Sequence, residues 1–276
     1  MLWRPFGVLP SRLHPAIYRL SVWQKRAVRA ASWRLDGHCY AQARQAAPLA
    51  SRVFKHTSKL IRQAPGVDLA LQHGKVRNLE VALPCVDGLL LRPGETFSFC
   101  RAVGQPTRAR GFVDGMELSR GEARAGVGGG LCQLSNLLHW LVLHSPLTVV
   151  ERHHHSFDPF PDDGRVLPFG SGATVFFNYR DLRFRNDTGL TFQLRVWRTD
   201  KLLEGELRAD ARVLTSYRVV ERRHRFVRRG AKVFRANELW REVRAKDHGA
   251  PLLREEFLLS NFAEVRYPVP EAALAP

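Results

Sequence analysis

The chain has 276 residues and a mass of 31.4 kDa, with 45% hydrophobic, 10% aromatic and 25% charged residues. That is the balance of a soluble globular protein with one large core or two smaller ones, and it excludes collagen-like, disordered and disulfide-scaffold classes. Seven lysines and 36 arginines against 26 acidic residues give a formal charge of +17. Such a field attracts nucleic acid, acidic lipid headgroups or anionic cell-wall material, and the excess is spread along the chain rather than gathered in one tail.

Residues 1–66 read as a helical, basic N-terminal segment that ends at Pro65-Gly66. Within it, Ala16 to Arg34 mixes Ile17, Leu20, Trp23, Val28 and Trp33 with five basic residues. It either packs onto the main body or lies on an anionic membrane surface, and packing is the simpler expectation. The opening residues lack the apolar run of a signal peptide and no stretch approaches 18 uninterrupted apolar residues, so the expected location is the cytoplasm, with peripheral attachment to the inner membrane face as a variant.

Residues 67–200 read as a central domain. A short helix is expected over Asn78 to Val86, then a strand at Leu89–Leu91 turning at Arg92-Pro93-Gly94-Glu95, and extended chain from Thr96 to Phe99. Residues 101–130 are dominated by turn formers and read as a loop-built binding rim. Leu131 to Ser145 is the clearest helix, with Leu131, Leu134, Leu138, Leu141 and Val142 in helical repeat and Pro146 as the stop. Leu147–His153, Ala173–Tyr179, Leu182–Phe184, Thr191–Trp197 and Val213–Glu221 are strand-like runs, and residues 201–276 form a β-rich C-terminal extension of the same globule. The fold class is therefore α+β: a helical N-terminal segment and a cysteine-bearing helix packed on a mainly antiparallel sheet.

Cys39, Cys85, Cys100 and Cys132 show no C-x-x-C pairing, so neither a disulfide framework nor a zinc ribbon is read from them, and a reducing compartment fits. Cys132 follows Gly128-Gly129-Gly130 at the start of the apolar helix, where free amides and the positive end of the helix dipole favour a thiolate. The glycines allow a substrate carbonyl to approach the backbone, so the amides from Gly130 to Gln133 are candidates for an oxyanion hole; simple packing of a buried cysteine is the plain alternative. Candidate bases are His153 and His155, which share one face of a strand while His154 faces away. His139 lies about 10 Å along the helix from the sulfur and reads as structural. Asp181 or Asn178 is placed to orient the imidazole, though a turn role suits Asp181 equally.

Zinc held by Cys132, His153 and His155 lacks a fourth ligand at a recognisable spacing, so no metal and no cofactor is expected. The Gly-rich loop matches neither a P-loop nor a Rossmann fingerprint, and the scattered arginines and tryptophans do not form a nucleic-acid pattern.

Four stretches carry a family likeness: LRPGETFSF (91–99), VGQPTRARGF (103–112), GGGLCQLSNLLHWLVLHSPLTVVERHHHSFD (128–158) and LPFGSGATVFFNYRDLRFRNDT (167–188). Together they resemble the VanW family over roughly residues 78–200. The resemblance implies a link to cell-wall metabolism and glycopeptide resistance. Some exported members are thought to be cysteine L,D-transpeptidases that make 3-3 peptidoglycan cross-links, which would map onto Cys132 with His153 and His155 from the family's RHxHS pattern.

The expected function is thus cysteine-dependent acyl transfer or amide hydrolysis on peptidoglycan stem peptides or their precursors. In this reading Arg108 and Arg110 grip substrate carboxylates, and Gly129, Gly130, Gln133, Ser135 and Asn178 line the site. The contrasting expectation is a non-catalytic module that binds an anionic wall precursor or a protein partner.

Overall fold

The computed structural model describes residues 15–61, 68–119, 122–154, 157–158, 161, 167–247 and 249–274. Helix α1 spans Pro15–Leu35, followed by strands β1 (Cys39–Tyr40) and β2 (Ser51–Lys59) and helix α2 (Leu69–Ala82). The Asp68 carboxylate caps α2 by accepting from the Ala70 and Leu71 amides, which explains why the helix starts nine residues before the sequence suggests. Strands β3 (Leu90–Leu91) and β4 (Glu95–Ser98) lead into the short helix α3 (Phe99–Val103). Then come β5 (Asp114–Ser119), β6 (Glu122–Val127), helix α4 (Cys132–Leu143), β7 (Thr148–Glu151) and β8 (Phe157–Asp158). The chain continues through β9 (Arg183–Arg185), β10 (Phe192–Arg198), β11 (Leu202–Ala209), β12 (Thr215–Arg229), β13 (Lys232–Ala245) and β14 (Leu252–Val265).

The strands form four sheets, ordered β1-β4-β9-β7, β2-β11-β10-β3, β12-β13-β14-β8 and the hairpin β5-β6. Pairing is antiparallel except at β1/β4 and β8/β14, so the α+β class with a mainly antiparallel sheet holds. Helix α4 drives Leu134, Leu137, Leu138 and Leu141 into a core shared with Leu79, Leu91, Phe97, Phe184, Phe192, Leu194, Leu203 and Leu207. Each fully buried leucine contributes roughly 2 kcal/mol of transfer free energy. Gly205 on β11 lets the helix lie close, since a Cβ there would meet the Leu137 side chain at 2.9 Å.

Three expectations change. Residues 51–59 are a strand, not part of a helical segment: their alternating exposure and an eight-residue pairing with β11 outweigh the Arg- and Ala-rich composition around them. Because β2 precedes residue 66 and β11 follows residue 200, one sheet joins the N-terminal, central and C-terminal segments. Residues 173–175 are extended but belong to no strand, with helix α4 taking up the amide and carbonyl of Ala173, and residues 176–180 close a turn through a Phe176–Arg180 bridge. The turn-rich stretch 101–130 contains the β5-β6 hairpin, in which Gly115 pairs with Gly126 near the open end.

The glycines of that stretch have a packing reason. A Cβ on Gly129 would overlap the Gly115 carbonyl, one on Gly115 would overlap the Gly129 carbonyl, and one on Gly74 of α2 would overlap the Asp114 carbonyl. Backbone therefore meets backbone where α2, the hairpin and the Gly128-Gly129-Gly130 loop converge. The buried Asn78 side chain stitches this junction, donating to the Val113 and Gly129 carbonyls at 3.0 and 2.9 Å and accepting from the Val113 amide at 2.8 Å.

The long C-terminal strands extend well past the expected Val213–Glu221. Arg and Glu side chains on them form cross-strand pairs such as Arg222–Glu255, Arg223–Glu238 and Arg241–Glu256. Gly129→Ala is expected to destabilise the fold by about 3 kcal/mol through this overlap, measured as a fall in the urea midpoint with an unchanged slope.

Candidate functional site

Helix α4 carries a polar edge as well as an apolar face. Cys132, Ser135, Asn136 and His139 recur at helical spacing, and each engages the extended segment 171–175. The His139 Nδ1–H donates to the Ser171 carbonyl at 2.7 Å, and Ser135 Oγ donates to the Ala173 carbonyl at 2.6 Å. Asn136 Oδ1 accepts from the Ala173 amide at 2.7 Å, and the Cys132 thiol reaches the Val175 carbonyl at 3.7 Å. The segment runs antiparallel to the helix and ends at the sulfur. His139 is buried, and burial lowers its pKa to about 3, so it is a neutral structural ring, as its position suggested.

The same segment brings in the histidine run. The Thr174 amide donates to the His153 carbonyl at 2.8 Å, and Arg152 donates to the carbonyls of Gly170 and Gly172. Strand β7 stops at Glu151, so residues 152–154 do not alternate faces as strand residues would, and the expected opposition of His153 and His154 has no strand geometry behind it. His155 lies outside the described residues.

His153 has a carboxylate partner, and it is Glu151. Its Nε2–H donates to Glu151 Oε1 at 2.9 Å. Glu151 is also gripped by both arms of Arg29 from α1, at 2.6 and 2.5 Å, and accepts from the Asp181 amide at 3.3 Å. Arg183 adds a cation at 3.7 Å and continues to Asp36 at 3.0 Å and the Tyr40 hydroxyl at 2.6 Å. Burial pushes the Glu151 pKa up, but the hydrogen bonds from His153 and Arg29 overcome it and hold the carboxyl down at about 2.

Asp181 does not orient the imidazole. Its carboxylate is fully buried, accepting from Ser98 Oγ at 2.5 Å and the Cys100 amide at 2.9 Å. Those bonds cap the start of α3, and the expectation of a triad role passes to Glu151. Asn178 is also buried, donating to the Arg26 carbonyl at 3.3 Å, so it ties α1 to the body rather than lining a site.

Cys132 is pulled in two directions. Burial raises the thiol pKa and is the largest influence, while backbone hydrogen bonds at Val175 and at Cys132 itself lower it; among charges, Glu117 raises it and Arg180 lowers it. The net shift is upward, so the expectation of a resting thiolate at the helix start is overturned, because loss of solvent at the sulfur outweighs the amides around it. The residue as a whole keeps part of its surface exposed. Among the described residues no imidazole hydrogen-bonds the sulfur. Arg180 and His153 both reach His154, whose pKa falls chiefly through burial and then through these charges and Arg152.

The proposed oxyanion donors are partly taken up. The Gln133 amide bonds the Gly130 carbonyl at 3.0 Å, and the Leu134 and Ser135 amides close on Leu131. The Gln133 side chain donates to Ser58 and Lys59, anchoring α4 to β2. Gly129 accepts from Asn78, and Gly130 has φ +94 with the Lys75 side chain packed where a Cβ would stand. Arg110 donates to the Gln105 and Val103 carbonyls at 2.7 Å each, and Arg108 pairs with Asp114 at 2.7 Å. Arg110 thus braces its loop, and Arg108 stays at the exposed rim. Glu151, Arg29 and Arg180 are the residues the sequence reading passed over; Glu151, two positions before His153, was the visible signal. No group of three or more His, Cys, Asp or Glu among the described residues is placed to hold a metal ion.

The sequence that builds this site matches a known group of proteins. The profile described as "VanW like protein" matches residues 74–208. The chain is 33% identical over 249 residues, 90% of each chain, to the vancomycin B-type resistance protein VanW of Enterococcus faecalis (strain ATCC 700802 / V583). It belongs to the VanW family. It is also 34% identical over 124 residues, 44% of this chain and 38% of the relative, to the uncharacterized protein YoaR of Bacillus subtilis (strain 168). No solved structure matches it.

The Glu151 cluster has an acid signature. Its folded pKa of about 2 lies below the ordinary 4.5, so its stabilisation is complete above pH 4.5 and lost as the pH falls toward 2. The ceiling on that contribution is about 3 kcal/mol. Glu151→Gln is expected to be less stable at pH 7 and to lose less stability between pH 4.5 and 2, measured by urea unfolding across that range.

Proposed function

We propose that this chain is a cysteine-dependent acyl transferase or amide hydrolase acting on peptide stems of peptidoglycan or on their precursors. The observation that carries the reading is the lacing of Cys132, through segment 171–175, to the chain that bears the His153–Glu151 pair. Helix-start cysteine, imidazole and carboxylate are the three parts of a nucleophile, its base and the group that orients the base.

The raised thiol pKa assigns the base an active part. Cys132 rests protonated, so the thiol proton passes to the free nitrogen of His153, with His155 as the alternative acceptor, as sulfur attacks the amide carbonyl. Collapse of the adduct breaks the C–N bond, the imidazolium returns its proton to the departing amine, and a thioester remains. A second amine completes transfer and water completes hydrolysis. Glu151 stabilises the imidazolium, and the Cys132 and Val175 backbone groups beside the sulfur favour its charged form. Arg180 takes over from Arg110 as the cation for a substrate carboxylate, and Arg108 remains available at the rim. The +17 charge suits an anionic wall polymer.

The non-catalytic reading rests on the same ladder, in which Cys132 packs and bonds like Ser135 and His139. Defined muropeptides separate the two. Cys132→Ala is expected to abolish turnover and the thioester mass adduct, and His153→Ala to lower kcat by about 10²-fold or more with little change in KM. Binding of muropeptides that persists with neither turnover nor adduct in the wild type would establish the binding module instead. Alkylation of Cys132 by iodoacetamide is expected to be slow at pH 7 and to accelerate as the pH rises toward its raised pKa.

A further inference from the structure

Helix α1 has two faces of opposite character. Its inner face is fixed to the body: Arg26 donates to the Phe177 carbonyl at 3.0 Å, Arg29 grips Glu151, Ser21 is buried and Trp33 lies under the Arg101 guanidinium. The orientation this imposes leaves Leu20, Trp23, Val28 and Leu35 in solvent, at 56%, 66%, 52% and 83% exposure. With Ala27 and Ala31 they lie along the outer side at three- and four-residue spacing, with the exposed Gln24 among them. Exposed Arg19, Lys25 and Arg34 flank these positions, with the Lys25 ammonium also 5.1 Å from the centre of the Tyr179 ring.

We propose that this outer face docks on an anionic phospholipid bilayer, with the helix lying in the plane of the headgroups. Charge selects the occupant. The first 35 residues hold seven basic and no acidic side chains, so a second copy laid face to face would bring Arg19, Lys25 and Arg34 against their equals with no carboxylate between them. The preceding residues, with Arg4 and Arg12 and no acid, offer no complement either. An anionic lipid surface supplies both partners at once, headgroup charge for the border and acyl boundary for Leu20, Trp23 and Val28. No helix among the described residues is long and apolar enough to cross a membrane, so contact is along the surface. The proposal is independent of the catalytic reading, since it uses no residue of the Glu151 cluster.

Co-sedimentation of the full chain with phosphatidylcholine vesicles, and with vesicles enriched in phosphatidylglycerol, tests it. Binding is expected to the anionic vesicles, to weaken as salt rises, and to fall at least about tenfold in the double variant Leu20→Ser, Trp23→Ser. The triple variant Arg19→Gln, Lys25→Gln, Arg34→Gln is expected to fall similarly, and both variants to keep the wild-type melting temperature. Equal or absent binding to the two vesicle types overturns the proposal. So does wild-type binding by the double variant, which would mean charge elsewhere acts alone, or a concentration-dependent dimer that this variant abolishes, which would mean a second copy covers the face.

Discussion

The polar edge of helix α4 is the constraint on which the site depends. An isolated extended segment such as 171–175, without a strand neighbour, would leave its amides and carbonyls to water or to nothing. Here Ser135, Asn136 and His139 satisfy them from the helix, and buried groups so paired are costly to displace. The apolar face of the same helix is fixed by Leu134, Leu138 and Leu141 in the core. One helix, anchored on both sides, thereby holds the sulfur of Cys132 against Val175 and draws the His153 chain alongside.

Glu151 is the second anchor, and it joins parts of the protein far apart in sequence. Arg29 from α1, Arg183 from β9 and His153 from the following loop converge on one half-buried carboxylate. Removing a charge from water is expensive, and the arrangement stands because several cations and hydrogen bonds share the one anion. The cluster also gives α1 a role beyond covering surface, since its inner face contributes the guanidinium that holds the partner of His153. The same helix presents its apolar and basic outer face to the surroundings.

Membership of the VanW family sets the protein beside a vancomycin B-type resistance protein, and the proposed acyl transfer starts from a thiol. Burial and nearby amides compete at the sulfur, and burial prevails in the resting protein. The imidazole of His153 has its own carboxylate partner, and Glu151 rather than Asp181 supplies it.

Local pattern was enough to define the α+β class, the cysteine-bearing helix with its Pro146 stop, the structural nature of His139 and the family motifs around Cys132. Periodicity, turn residues and helix position are written within a few residues of one another, so these features are legible in the chain itself. Only tertiary structure decided the rest. Strand β2 lies in an Arg-rich segment, and it becomes a strand because β11, some 150 residues later, pairs with it. Asp181 and Glu151 are both acids near a histidine run, and only packing shows that one caps α3 while the other holds the imidazole. The state of the Cys132 thiol likewise follows from how much water the surrounding chain excludes, a quantity no local sequence signal encodes.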